Sequence, residues 1–205
     1  MFQISARSDS RRLHNVIMLP RRGHSVLKYY DHAVTFSEFP DEVAVCVNIT
    51  NCPGMCEQCS EPWLRLDVGS YLTDDAIQNL INSHCYCTVF GLMGGDADHE
   101  DIKRIADYVH THSSMKVGFY SGMDSIDIDL LPYIDLYKIG RWIAPKGDAK
   151  TWSRESCGPL PFPFSNQLYF EKKDGQLVNA TYKFRKNPLH DLTRYIIGYE
   201  KTAPK

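Results

Sequence analysis

Two kinds of hydrophobic pattern alternate along the middle of the chain. Four near-continuous apolar runs are typical of strands that are buried on both faces of a parallel sheet. These runs occupy residues 43–49, 87–93, 115–120 and 135–139. Between the second and third runs, Ile102, Ile105 and Val109 recur at the spacing of one helical face. The strand–loop–helix unit repeats about three times, which predicts an α/β fold with parallel strands joined by right-handed helical crossovers.

Polar residues indicate where the helices begin. Thr73 is a favoured N-cap residue, and two aspartates follow it in the first turn, where the helix dipole favours negative charge. This pattern predicts a helix over residues 74–83. Either Asp98 or His99 is expected to open the second helix, and a short helical segment is expected around residues 125–131.

The flanking sequence predicts less regular elements. Short apolar pieces within residues 27–40 predict an edge strand or a β-ribbon that enters the domain. Near the other end, Asp174-Gly175 is a hairpin signal between expected strands at 168–172 and 177–184. Prolines and aromatic residues are interleaved over residues 140–166, which predicts a segment that wraps over a surface.

These patterns divide the chain into three parts. Residues 1–26 lack sustained periodicity and are predicted to be a poorly ordered N-terminal extension. Residues 27–185 are predicted to form one domain, and residues 186–205 are predicted to form a C-terminal tail. A length of 205 residues agrees with a single domain or a small α/β enzyme.

Composition narrows the classes of partner and compartment. The net charge of −2 gives no reason to expect binding to nucleic acid or to a membrane surface. No apolar run approaches the length of a membrane-spanning helix, and no secretory signal is visible. The seven cysteines are an odd number, which fits a reducing, cytoplasmic setting. The cysteines are therefore expected to be metal ligands or core residues rather than disulfides.

A cysteine triplet directly after the first apolar run is the strongest chemical signal. Cys52, Cys56 and Cys59 have C-x3-C-x2-C spacing, and Pro53-Gly54 allows a tight turn of the backbone. Three thiolates this close in sequence can share one metal centre, and a thiolate-rich site favours zinc or an iron–sulfur cluster. Zinc in a structural site takes four ligands, so a zinc site built on the triplet would need one further ligand.

Three further cysteines have two alternative roles. Cys85 and Cys87 could complete a zinc site together with the triplet. A core position for Cys46, Cys85 and Cys87 is favoured instead, because free cysteine behaves as a small buried hydrophobe.

Unusual residues follow each of the four predicted strands. Ligands of parallel α/β folds bind at the carboxyl ends of the strands, where the cysteine triplet also lies. The other three strand ends carry Gly94-Gly95-Asp96, Ser121-Gly122, and Lys138 with Gly140. Each feature alone is common in turns and helix starts, but the four together predict a ligand site at this edge of the sheet.

The triplet and the Gly-Gly-acid strand end resemble motifs of the radical S-adenosylmethionine family. That resemblance implies a 4Fe–4S cluster held through three irons by Cys52, Cys56 and Cys59. The fourth iron would then bind the methionyl amino and carboxylate groups of S-adenosylmethionine. The Gly-Gly-Glu strand end of the family, which holds the amino group, corresponds to Gly94-Gly95-Asp96. Asp96 shortens that side chain by one methylene, and Gln58 replaces an aromatic residue that is frequent before the third cysteine.

Within that family, the chain resembles the activating proteins of anaerobic ribonucleotide reductase. The resemblance spans residues 27–184 and rests on the segments at 48–52, 120–122, 137–140 and 165–167. It implies an incomplete parallel (β/α) barrel with a C-terminal β-hairpin. It also implies reductive cleavage of S-adenosylmethionine, followed by hydrogen abstraction from a glycine of the glycyl-radical subunit of the reductase. A flavodoxin or ferredoxin would donate the electron.

The resemblance leaves two residues and two functions open. Ser121 and Lys138 are candidates for contacts with the ribose and the carboxylate of S-adenosylmethionine. One alternative function is a radical enzyme that acts on another protein or on a small molecule. The other is a non-catalytic, zinc-binding interaction protein.

Overall fold

An eight-stranded mixed sheet forms the centre of the protein. The computed structural model describes residues 26–57, 59, 61–141 and 167–185. The strands, in chain order, are β1 Lys28–Thr35, β2 Ala44–Ile49, β3 Ser70–Tyr71, β4 Val89–Met93, β5 Lys116–Tyr120, β6 Leu136–Ile139, β7 Leu168–Lys173 and β8 Gln176–Asn179. The α-helices are α1 Asp74–Ser83 and α2 His99–His112, and short 3-10 helices lie at Pro62–Arg65, Ile128–Leu130 and Thr181–Arg185. The predictions for the N-terminal extension, for most of the segment at 140–166, for the C-terminal tail and for Gln58 lie outside the described residues.

The order of the strands confirms the α/β prediction. The order across the sheet is β3-β1-β2-β4-β5-β6-β7-β8, with parallel pairing from β2 to β6 and antiparallel pairing on both flanks. Within the described chain β3 and β8 are the two edges, so the sheet is open. The four predicted apolar runs form its parallel centre, where burial on both faces explains their composition.

One of the two predictions for the flanking strands was wrong in detail. The segment at 27–40 supplies β1 as expected, which pairs with β2 and, through Lys28 and Tyr29 alone, with the two-residue β3, so most of β1 borders the described sheet. The segment at 177–184 was expected to be extended throughout. Its strand ends at Asn179, because the Asn179 side chain accepts a bond from the Thr181 N–H and starts a 3-10 turn. The hairpin around Asp174-Gly175 is confirmed.

The caps of both helices are those that the sequence predicts. Thr73 Oγ1 accepts a hydrogen bond from the Ala76 N–H at the start of α1. Asp98 does the same for the Asp101 N–H at the start of α2. The helical segment expected around 125–131 is a single 3-10 turn, Ile128–Leu130. None of the described helices is long and apolar enough to cross a membrane.

The two faces of the sheet are covered differently. On one face the apolar stripes of α1 and α2 pack against alternate strand residues and form the larger hydrophobic core. On the other face Phe39, from the β1–β2 connection, covers Gly91 of β4 and Gly118 of β5. A Cβ at Gly118 would lie 2.3 Å from the Phe39 ring, so the glycines make room for this ring. We call the face under Phe39 the open face, since neither α-helix covers it.

Candidate cofactor site at the carboxyl edge of the parallel strands

The cysteine loop is held at the carboxyl end of β2 by the 3-10 helix that follows it. The Asn51 N–H donates to Leu66 O at 3.0 Å, and the Cys52 N–H donates to Leu64 O at 2.9 Å. The guanidinium of Arg65 also donates a hydrogen bond to Cys56 O. Asn51 adopts a φ of 59°, a left-handed conformation that asparagine tolerates better than most residues. These contacts return the chain to the strand end and hold the loop at both sides.

The loop directs its cysteines away from solvent and its other residues toward it. Cys52, Gly54, Cys56 and Cys59 are half-buried, whereas Met55 is 82% exposed. A Cβ at Gly54 would lie 3.3 Å from Cys52 Sγ and 3.7 Å from Cys56 Sγ. Both sulfur atoms therefore flank the same side of Gly54, and the absence of a side chain leaves room for them there.

The charge environment of Cys52 also indicates that the triplet is close together. Burial raises the pKa of the Cys52 thiol, and the nearby charges of Asp96, Cys56 and Cys59 raise it further. Thiols in such an environment become thiolates when a metal supplies the positive charge. The three thiols are therefore suited to a metal group that supplies positive charge to them.

Among the residues that the structure describes, no three His, Cys, Asp or Glu side chains converge enough to hold a single metal ion.

The register of the sheet separates Cys85 and Cys87 from the triplet, which argues against the alternative in which they complete a zinc site. Ala44 pairs with Val89 and Asn48 pairs with Met93, so the parallel strands β2 and β4 run side by side. The two cysteines precede β4 and lie at its amino end, whereas the triplet follows β2 at the carboxyl end. A five-residue strand separates these ends by roughly 15 Å.

The predicted core positions of the other cysteines are confirmed for two of the three. Cys46 and Cys87 are buried, as expected for small hydrophobic side chains. Cys85 is exposed, so the prediction of a core role for it was wrong. It lies in the turn after α1, where the chain leaves the apolar stripe of the helix before β4 begins.

Gly94-Gly95-Asp96 crosses from β4 to α2 beside the end of β5. Both glycines have positive φ, 97° and 121°, which other residues rarely adopt. The Gly94 N–H donates to Tyr120 O at 3.0 Å, which extends the pairing between β4 and β5. A Cβ at Gly95 would lie 2.5 Å from the Ile102 side chain, so Gly95 allows α2 to approach the strand end.

Asp96 and Ser121, which the sequence placed on separate strand ends, bind each other directly. Ser121 Oγ donates to Asp96 Oδ1 at 2.6 Å, and the Gly122 N–H donates to Asp96 Oδ2 at 2.7 Å. Ser121 Oγ also accepts a bond from the Met123 N–H. The carboxylate of Asp96 therefore joins the ends of β4 and β5 and carries a negative charge next to Cys52.

His99 is a residue of this site that the sequence did not indicate as functional. Its Nδ1 lies 2.5 Å from Asp127 Oδ2, and its Nε2 lies 3.7 Å from Asp96 Oδ1. The helical spacing of i, i+3 between Asp96 and His99 is the signal that could have found it. Asp127 is distant in sequence, and only the fold brings it to this ring.

Lys138 lies on the open face rather than beside Asp96. Strand pairing aligns it with Met93 and Tyr120, and its Nζ lies 4.0 Å from the centre of the Tyr120 ring. Burial lowers the pKa of Lys138 to about 8, and the nearby Glu38 and Cys46 oppose this shift. Its backbone is close to Ser121, since Lys138 O accepts from the Ser121 N–H at 2.8 Å.

Comparison of the chain with models of protein families, with curated proteins and with solved structures found no match. The function is therefore argued from the residues of the site.

Proposed function

We propose that this chain is a radical S-adenosylmethionine enzyme that installs a glycyl radical on an anaerobic ribonucleotide reductase. The observation that carries the proposal is the position of the cysteine triplet. Its thiols are half-buried at the carboxyl end of β2, and Gly94-Gly95-Asp96 follows the adjacent parallel strand. Thiolates and a buried acid at the ends of adjacent strands suit an anionic cluster and a cofactor with a positively charged amino group.

In this proposal Cys52, Cys56 and Cys59 hold a 4Fe–4S cluster, and Asp96 binds the methionyl amino group. When bound, the cluster and S-adenosylmethionine supply one-electron reductive chemistry that ends in hydrogen abstraction. The three thiolates would be the protein's ligands to the cluster. Gly94 and Gly95 would provide backbone groups next to the amino group.

Ser121 has a positioning role as well as a possible contact with the ribose. Its hydroxyl fixes one oxygen of Asp96, so that the carboxylate keeps its orientation between the two strand ends. Lys138 would reach the carboxylate of the cofactor only from the open face, on which its amine lies.

The proposed fold is an incomplete parallel (β/α) barrel of the radical S-adenosylmethionine type. Its support is the parallel centre of four strands, with α1 and α2 packed on one face. In such a barrel the opposite face is the interior, where a cofactor is shielded from water. Phe39 occupies that face over Gly91 and Gly118, below the level of Tyr120 and Lys138.

The proposed partners are the glycyl-radical subunit of the reductase and a flavodoxin or ferredoxin that donates the electron. The proposal includes a cytoplasmic location, where free thiols remain reduced. A different protein or a small molecule as the hydrogen donor is the main alternative within the same chemistry.

Anaerobic reconstitution with iron and sulfide tests the cluster assignment. The protein should bind about four iron atoms per chain and cleave S-adenosylmethionine when it is reduced. Replacement of Cys52, Cys56 or Cys59 by Ala should abolish both. Cys85→Ala is the matched control, because it removes an exposed thiol outside the loop, and it should behave as the wild type. Stoichiometric zinc without cleavage would refute the proposal.

Electron paramagnetic resonance tests the identity of the partner. The reduced enzyme, S-adenosylmethionine and a purified anaerobic reductase subunit should together give a glycyl radical signal. The signal should be absent with Cys56→Ala. Cleavage without any radical on the reductase would favour the alternative hydrogen donors.

A further inference from the structure

His99 lies between two carboxylates at the start of α2. Its Nδ1 lies 2.5 Å from Asp127 Oδ2. The pKa of Asp127 is lowered by the N–H of Asp129 and by His99, so this carboxylate is ionised and can only accept. The proton of that hydrogen bond therefore belongs to Nδ1 of the ring, which determines the tautomer of the neutral histidine.

The other nitrogen of the ring faces Asp96. Nε2 of His99 is buried, makes no hydrogen bond in the structure and lies 3.7 Å from Asp96 Oδ1. Since Nδ1 carries the proton of the neutral ring, Nε2 then presents a lone pair to the carboxylate. Only the protonated ring directs an N–H at Asp96. The charge next to Asp96 therefore depends on the protonation of His99.

The other groups around the ring do not change the charge next to Asp96 in this way. Phe119 packs its ring edge-on to His99 at 6.2 Å and carries no charge. The hydroxyl of Tyr137 accepts from the Asp127 N–H, and burial raises the pKa of Tyr137 to about 12, so it stays neutral. Lys103, one turn along α2, binds Glu100 and contributes to the lowered pKa of Asp127.

We propose that His99 is a positioning residue that sets the charge which Asp96 presents to the amino group of the bound cofactor. The inference rests on the proposed function, in which Asp96 receives that amino group. When His99 is neutral, the carboxylate attracts the ammonium with its full charge. When His99 is protonated, the imidazolium offsets that charge, since its Nε2–H is directed at Oδ1 from 3.7 Å. The affinity for S-adenosylmethionine consequently falls when His99 takes up a proton.

The test measures equilibrium binding of S-adenosylmethionine to the anaerobically reconstituted full chain from about pH 8 to about pH 5.5. The wild type should lose at least about fivefold in affinity over this range. His99→Asn keeps a donor for Asp127, because Asn Nδ2 takes the place of Nδ1, but it has no charge to gain. At every pH this variant should bind S-adenosylmethionine with the affinity that the wild type has near pH 8.

His110→Asn is the matched control. His110 lies near the other end of α2 and also pairs with a carboxylate, that of Asp135 at 2.8 Å, but it is not adjacent to Asp96. This variant should keep the pH dependence of the wild type. If His99→Asn keeps that dependence, or weakens binding equally at every pH, the proposal is wrong.

A second measurement does not depend on the cofactor. Nitrogen-15 resonances of the histidine rings in the full-length apoprotein report the protonation of His99 directly. In Asp96→Asn the midpoint of protonation of His99 should move to lower pH, whereas the midpoint of protonation of His110 should not move. An unchanged midpoint would overturn the inference. A wild type that binds no S-adenosylmethionine would instead refute the proposed function, and the resonance comparison would still decide whether Asp96 and His99 are coupled.

Discussion

Ser121 Oγ donates a hydrogen bond of 2.6 Å to Asp96 Oδ1, across 25 positions of the chain. Asp96 follows β4 and Ser121 follows β5, so the bond connects the carboxyl ends of two neighbouring parallel strands. The Gly122 N–H occupies the other oxygen of the same carboxylate at 2.7 Å. An acid that would bind the cofactor is thus also a structural connection within the site.

Asp96→Asn should destabilise the fold as well as weaken cofactor binding. One atom of the amide cannot accept, so either Ser121 Oγ or the Gly122 N–H loses its acceptor. A buried donor left without a partner costs about 1–3 kcal/mol, which chemical denaturation of the apoprotein measures as a lower free energy of unfolding. Asp107→Asn changes an exposed aspartate on α2 and should leave this free energy nearly unchanged. Equal stability of both variants would show that the connection between the strand ends is weak.

Gly118→Ala should destabilise the protein because it meets the ring of Phe39. The added Cβ would lie 2.3 Å from Phe39 Cζ, and the ring also contacts Gly91, so it has little room to move. Overpacking of this kind costs about 1–3 kcal/mol in the free energy of unfolding. The double variant Gly118→Ala, Phe39→Leu should recover part of this loss, since leucine lacks the ring atoms that clash. A double variant no more stable than Gly118→Ala would contradict the proposed cause.

Lys138 should make stability depend on pH in the alkaline range. Burial lowers its pKa from 10.5 to about 8, so the unfolded chain binds more protons between these values. Stability should therefore rise with pH across this window, and the buried charge costs about 3 kcal/mol below it. Lys138→Met should be more stable than the wild type at neutral pH and should lack this rise.

Denaturation curves of the apoprotein at several pH values measure the effect of Lys138. Lys116→Met is the control, because Lys116 is on the adjacent strand with half of its side chain exposed. It should keep the pH profile of the wild type. Parallel profiles for the wild type and Lys138→Met would show that the amine is solvated in the folded protein.

Arg65 should hold the cysteine loop in place before any cluster binds. Its guanidinium donates to Cys56 O, and a hydrogen bond from a charged group contributes about 1.5–3 kcal/mol. Arg65→Ala should therefore speed amide hydrogen exchange in residues 51–57 of the apoprotein by about tenfold or more. Peptides from α2 should exchange as before. Arg141→Ala, which changes an exposed arginine paired with Asp124, should alter neither region, and unchanged exchange in Arg65→Ala would exclude a holding role.

Features that depend on neighbours in sequence could be predicted well. The periods of the apolar residues predicted the parallel centre of the sheet and both α-helices, and Thr73 and Asp98 cap those helices as expected. Cap and strand signals are local, because they involve contacts between residues that are a few positions apart. The prediction of an extended segment at 177–184 was wrong for a reason that is also local. The bond between Asn179 and Thr181 competes with strand pairing there.

The contacts of the candidate site depended on how the strands pair. The spacing of Cys52, Cys56 and Cys59 is local and was visible in the sequence. The separation of Cys85 and Cys87 from that loop was not, because only the parallel register of β2 and β4 puts them at opposite ends of the sheet. That register depends on packing between segments that are distant in sequence, so the pattern of residues within one strand does not determine it.

The sequence by itself determined the class of fold, the starts of the helices and the donor atoms available for a metal centre. Only the tertiary structure decided that Asp96 binds Ser121, that His99 lies between Asp96 and Asp127, and that Lys138 is buried on the open face. The type and spacing of side chains determine contacts between residues that are a few positions apart. Charge, burial and hydrogen bonding in the site arise between strands that are distant in sequence, so they exist only once the sheet has formed.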